Sequence, residues 1–167
     1  MATQEVKSWI NKIFFASLNN ADFAQMESFC LLWNIFEKKV GNGSQESLGL
    51  VKIEKFIFDE NITIDDSILQ PCFDYFRSRY IENGETNSKF EKLNISNNKF
   101  KDIFKNILVN NNALEKEKIL GISIIAYRIR NNSFHGTKGL SEISNQKDTF
   151  EYLNKFLMGF LDNFSLI

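Results

Sequence analysis

The sequence is poorest in histidine: one residue, His135, in a chain of 167. A single imidazole excludes every site that needs two from one chain, such as a His-pair metalloprotease or a His-rich zinc site. Proline is equally scarce, with Pro71 alone. So few breakers favour long uninterrupted helices over a turn-rich β fold. The two cysteines, Cys30 and Cys72, have no paired spacing and sit among apolar neighbours, so they read as buried free thiols of a reducing interior. No apolar run reaches the length of a membrane span. Lys7, Asn11 and Lys12 interrupt what would be the apolar core of a signal peptide, so the expectation is a cytoplasmic protein with no membrane association. Asn61-Ile62-Thr63 and Asn94-Ile95-Ser96 match the glycosylation pattern but carry little weight without an export signal. Charge is balanced: 20 basic against 21 acidic side chains, net −1. Nucleic acid held by bulk charge is therefore disfavoured, and any such binding must come from a local patch.

What is present is apolar and aromatic. Hydrophobic residues make up 43% of the chain and 17 residues are Phe, the composition of a folded domain with a sizeable core rather than a disordered one. Residues 1–167 read as one domain. Val6, Trp9, Ile10, Ile13 and Phe14 recur at helical spacing within Glu5–Leu18. Phe23, Met26, Phe29, Cys30, Trp33, Phe36 and Val40 form a second stripe, which Asn20 or Asp22 would cap and Gly41-Asn42-Gly43-Ser44 would end, with Gly supplying a left-handed C-cap. Residues 44–65 are irregular and predict a short helix or an extended connection. A further helix opens at Asp65-Asp66-Ser67, with Pro71 in its first turn, and runs to Ile81 before Asn83-Gly84. Residues 85–98 read as a loop with about one helical turn. Phe100, Ile103, Phe104, Ile107 and Leu108 make a short helix that Asn110-Asn111-Asn112 stops.

From about Ala113 a charged start, Glu115-Lys116-Glu117-Lys118, reads as ordinary helix solvation. It leads into Ile119–Ala126, apolar almost all round, the mark of a central helix with neighbours on several sides. The last helix is Phe-rich, with Phe150, Leu153, Phe156, Leu157, Phe160, Leu161 and Phe164 serving core and dimer surface. The expected architecture is an all-α bundle of long antiparallel helices.

Chemistry concentrates where the central helix ends. His135 stands five residues after Arg130. On a continuous helix that step turns the side chain about 140° away. Asn131, Asn132 and Ser133 are poor helix-interior residues, and Gly136 and Gly139 mark termination. Arg130 is thus expected on the last turn, with His135 on irregular backbone just beyond, where both side chains can converge. The plainer alternative is a cation favourable to the helix dipole, with His135 as a cap. The spacing alone does not decide between them.

The wider context points to a family. Arg130-Asn131-Asn132-Ser133-Phe134-His135-Gly136 closes an apolar helix and precedes a final amphipathic one. This resembles the HEPN superfamily, marked by Arg, four to six residues, then His, with a polar residue directly after the Arg. Here four residues intervene and the polar one is Asn131. Phe29–Glu37 resembles the early bundle helix of the Apea-like members, which often carry an aromatic followed by Phe-Glu. The likeness spans residues 20–165.

The resemblance implies an α-helical bundle that dimerises so that two motifs meet in one cleft. It also implies a metal-independent, cofactor-free endoribonuclease of toxin–antitoxin, abortive-infection or antiphage defence systems, working with an antitoxin or defence partner. RNA brings its own nucleophile, the 2′-OH. A near-neutral imidazole at His135 can move the proton there or at the leaving oxygen. Arg130 can hold the scissile phosphate, and Asn131 can orient His135 or a phosphate oxygen. Arg128 and Lys138 are candidate substrate-binding cations, and Lys147 can widen the patch. Glu37 either pairs with an arginine near the motif or is solvated. Some HEPN toxins carry, two residues after the His, a Tyr that a nucleotidyltransferase antitoxin modifies. Thr137 stands there, which puts that partnership in doubt. The rivals are a HEPN module that binds nucleotide or RNA without cutting it, and a scaffolding domain of a defence complex. Tyr75, Arg77, Arg79 and Tyr80 interleave bases and aromatics as a single-strand RNA platform would, although a solvated helix face with buried rings is the simpler reading.

Overall fold

A computed structural model describes residues 2–13, 17–41, 47–134 and 146–164. They form eight α-helices and one small hairpin, an all-α fold. The helices are α1 (Gln4–Ile13), α2 (Asn20–Val40), α3 (Leu50–Asp59), α4 (Asp66–Tyr80), α5 (Ser88–Glu91), α6 (Asn98–Val109), α7 (Glu115–Phe134) and α8 (Lys147–Leu161). Strands β1 (Ile81–Glu82) and β2 (Glu85–Thr86) pair antiparallel between α4 and α5.

Asparagine sets many of the boundaries. Asn19 caps α2 in a reciprocal box, accepting from the amides of Ala21 and Asp22 while the Asp22 carboxylate accepts from its own amide. Asn87 and Asn97 cap α5 and α6 in the same way as acceptors. Asn83 and Gly84 both take positive φ, 53° and 81°, the pair that a tight two-residue hairpin turn demands. That turn ends α4 at Tyr80 and converts the expected helix end into a hairpin. One further expectation changes. Pro71 is the sixth residue of α4 rather than part of its first turn, so α4 forgoes one backbone hydrogen bond there. Gly41, the C-cap of α2, has right-handed geometry (φ −72°) and its amide reaches the Glu37 carbonyl, so the left-handed residue is not Gly41; Gly43 lies outside the described residues.

The core is aromatic. α2 packs on α8 through Phe29 against Phe150, ring centroids 5.3 Å apart, and Phe36 edge-on to Phe160 at 4.9 Å. α8 meets α4 where Tyr75 stacks on Tyr152 at 4.2 Å and where Gly159 lets Ile64 and Ile68 approach. α7 is the central helix: every residue from Ile119 to Ala126 is buried, against α3, α4, α6 and α8. By contrast, α1 leaves Val6, Trp9 and Ile13 about half exposed and buries Lys7, whose ammonium donates to Asn20 and lies over Phe23. Cys72 is buried and Cys30 half-buried, both as free thiols.

Candidate functional site

α7 runs through Asn131, Asn132 and Ser133 to Phe134, so Arg130 lies one turn before the helix end rather than on its final turn. The asparagines continue the helix because each has a partner. Asn132 is buried, donates to the carbonyl of Leu93 at 3.2 Å, and accepts from Arg128 at 3.1 Å. Asn131 is half-buried, and its side-chain oxygen accepts from Arg130 Nη1 at 3.1 Å. The charge on Arg130 has a neighbour on a second element: Glu37 of α2, whose Oε2 lies 3.8 Å from Nη2. Both side chains are about one-third exposed (31% and 34%). The guanidinium is therefore held from two sides and still open to solvent, a geometry suited to an anion arriving from outside. Of the two readings left open for Glu37, pairing with a nearby arginine or solvation, the structure shows a loose pairing with a partly solvated carboxylate.

The other proposed cation near the motif is used differently. Arg128 Nε donates to the Leu93 carbonyl at 2.9 Å and Nη2 to Asn132, which straps α7 to the loop after α5. Burial lowers its pKa from the usual arginine value. None of its contacts is a carboxylate among the described residues, so its charge is uncompensated there. His135 and Lys138, with Thr137, lie outside the described residues.

The tyrosine–arginine stretch of α4 is not an RNA platform. Tyr80 is buried, Tyr75 is covered by Tyr152 and bonded to Thr149, and Arg77 donates to Asn111. The rings serve the core because α4 turns them towards α8 and α6. Glu115–Lys118 does more than solvate α7: Glu115 accepts from the Ile64 amide at 3.1 Å and Lys118 donates to Gln70 at 2.6 Å, both tying α7 to the α4 region.

Two concavities flank α2 and α7. A wide apolar groove of about 1080 Å³ runs between α2, α4 and α8, on the side of α2 away from Glu37. A smaller pocket of about 310 Å³ lies between the start of α3, the start of α6 and α7, and includes Tyr127 and Arg128. Sequence reasoning missed Tyr127; its signal was the three-residue step to Arg130, which places both on one side of α7. Among the described residues no group of three or more His, Cys, Asp or Glu side chains gathers as a metal site would require, and no helix is long and apolar enough to cross a membrane. Compared with protein-family models, curated proteins and solved structures, the chain matches none.

Proposed function

We propose that this chain is a metal-independent endoribonuclease of the HEPN type, a cytoplasmic effector that acts as a homodimer in a toxin–antitoxin or antiphage system. The observation that carries this reading is Arg130: a one-third exposed guanidinium on the last stretch of the central helix, oriented by Asn131 and approached by Glu37, with the chain's one histidine five residues on. The reading needs no cofactor. The 2′-oxygen of a ribose attacks the adjacent phosphorus as its proton is taken up. The bond from phosphorus to the 5′-oxygen breaks, and that oxygen receives a proton. The products are a 2′,3′-cyclic phosphate and a free 5′-hydroxyl. His135 handles a proton in this scheme. Arg130 stabilises the charge that builds on the non-bridging oxygens, and Asn131 sets the guanidinium's direction. A second copy of the chain supplies the second motif, and an antitoxin or defence protein restrains it.

The test is a labelled RNA incubated with purified protein in EDTA, alongside Arg130→Ala and His135→Ala. Wild type is expected to cleave and leave cyclic phosphate ends, and each variant to lose activity. Cleavage that survives either substitution overturns the mechanism. Binding without cleavage by wild type replaces it with the non-catalytic module.

A further inference from the structure

The pocket of about 310 Å³ one turn before Arg130 includes Arg128, expected from the sequence to bind substrate, but its other residues have no functional role so far. Its residues come from three places in the chain: Ser47 with Leu50 and Val51 around the start of α3, Ser96 and Asn97 before α6, and Tyr127 and Arg128 on α7. Their chemistry divides in two. Tyr127 gives aromatic surface; it is half-buried and is backed by Trp33, ring centroids 6.4 Å apart. Arg128 gives a positive charge with no carboxylate among its contacts within the described residues, pinned in place by Leu93 and Asn132. Ser47 and Ser96 add hydroxyls. Gly49 begins α3 without a side-chain cap, so the positive end of that ten-residue helix adds to the same side.

An aromatic wall, a fixed guanidinium, hydroxyl donors and a volume near the lower end of ligand pockets suit a group that is flat at one end and anionic at the other. We infer that this pocket is a nucleotide subsite, taking one base against Tyr127 and its phosphate against Arg128 and the start of α3. Tyr127 and Arg130 are three residues apart on α7, about 4.5 Å of helical rise. Arg128, two residues from Arg130, points about 160° away round α7, so it is the base end of the subsite, at Tyr127, that lies on the Arg130 side. This deepens the ribonuclease reading and rests on it for its purpose. The binding itself does not depend on cleavage.

Val51 supplies the test. It is 63% exposed at the second position of α3. A carboxylate there favours the helix dipole, so Val51→Asp leaves folding intact while repelling a phosphate in the pocket. Calorimetric titration of the full chain with adenosine 5′-monophosphate should show binding. Val51→Asp should weaken it about tenfold at unchanged melting temperature, with Val51→Asn close to wild type. Ser96→Trp, at an exposed rim position, should abolish it by filling the space. Adenosine alone and inorganic phosphate alone should each bind more weakly than the nucleotide. No binding by wild type, or equal binding by Val51→Asp and Ser96→Trp, overturns the subsite. If the nucleotide binds in this pattern but RNA is not cut, the subsite stands and the ribonuclease reading falls. If RNA is cut with the same KM by wild type and Val51→Asp, the subsite falls and the ribonuclease reading stands.

Discussion

Glu37 on α2 places its carboxylate 3.8 Å from the Arg130 guanidinium on α7. The two residues are far apart in sequence and meet only because Trp33 and Phe36 dock that face of α2 into the core. Their contact is partly solvated, so its stabilising value is small, about 0–1 kcal/mol. Its effect on ligands is larger in kind, because any anion that approaches Arg130 competes with Glu37.

Glu37→Gln should therefore leave the melting temperature nearly unchanged and tighten binding of a non-cleavable 2′-deoxy oligonucleotide. One removed charge at this distance is worth about 1 kcal/mol in water-like surroundings, roughly a fivefold change in Kd. The gain should shrink at high salt. Weaker binding by the variant would mean that Glu37 assists Arg130 rather than competing for it.

Asn132 has the opposite character. It is 5% exposed and joins α7 to the Leu93 carbonyl and to Arg128. Asn132→Leu removes both contacts and leaves Arg128 Nη2 without its acceptor, while the Leu93 carbonyl keeps Arg128 Nε, which should cost about 1–3 kcal/mol. For a chain of this size that corresponds to a fall of roughly 2–10 °C in Tm. An unchanged Tm by calorimetry would show that the strap carries no net stability.

Alkaline pH should weaken the fold. Burial pushes the Cys72 thiol from 9.0 up to about 11 and the Tyr80 phenol from 10.0 up to about 12. Folded, both groups keep their protons where the unfolded chain releases them. Their contribution is complete below pH 9 and is lost as pH rises through the raised values. Urea midpoints measured from pH 8 to pH 11 should fall, and Cys72→Ala should flatten part of that decline. A thiol reagent at pH 8 should label half-buried Cys30 faster than buried Cys72.

Gly159 tests the seam between α8 and α4. A Cβ there would stand 3.0 Å from Ile64 Cγ2 and 3.5 Å from Ile68 Cγ2. Alanine raises helix propensity by about 1 kcal/mol, so Gly159→Ala should be near neutral. The branched Gly159→Val should lose about 1–3 kcal/mol from overpacking. A chemical denaturation series over the two variants separates the effects, and equal stability for both would show that the seam has room to spare.

The helical fold was legible in the chain because apolar period and capping chemistry are local. Phe23 to Val40 can bury one stripe only as a helix, and Ile119 to Ala126, apolar on every side, can only be central. The start of α2 reads a residue late from the chain alone, with Asn20 or Asp22 as the expected cap; Asn19 caps it, with Asp22 closing the box. The candidate motif was visible as a spacing around Arg130, and Glu37 as a possible partner. What the chain alone left undecided was the use of each polar group, because that depends on what another element brings within hydrogen-bond reach. Arg128 and Arg130 are two residues apart on one helix. Tertiary packing sends the first to a backbone carbonyl of the α5 loop and the second to a carboxylate on α2. Likewise Lys7 is buried while Trp9 stays largely exposed, because Asn20 and Phe23 offer the lysine an acceptor and a ring face.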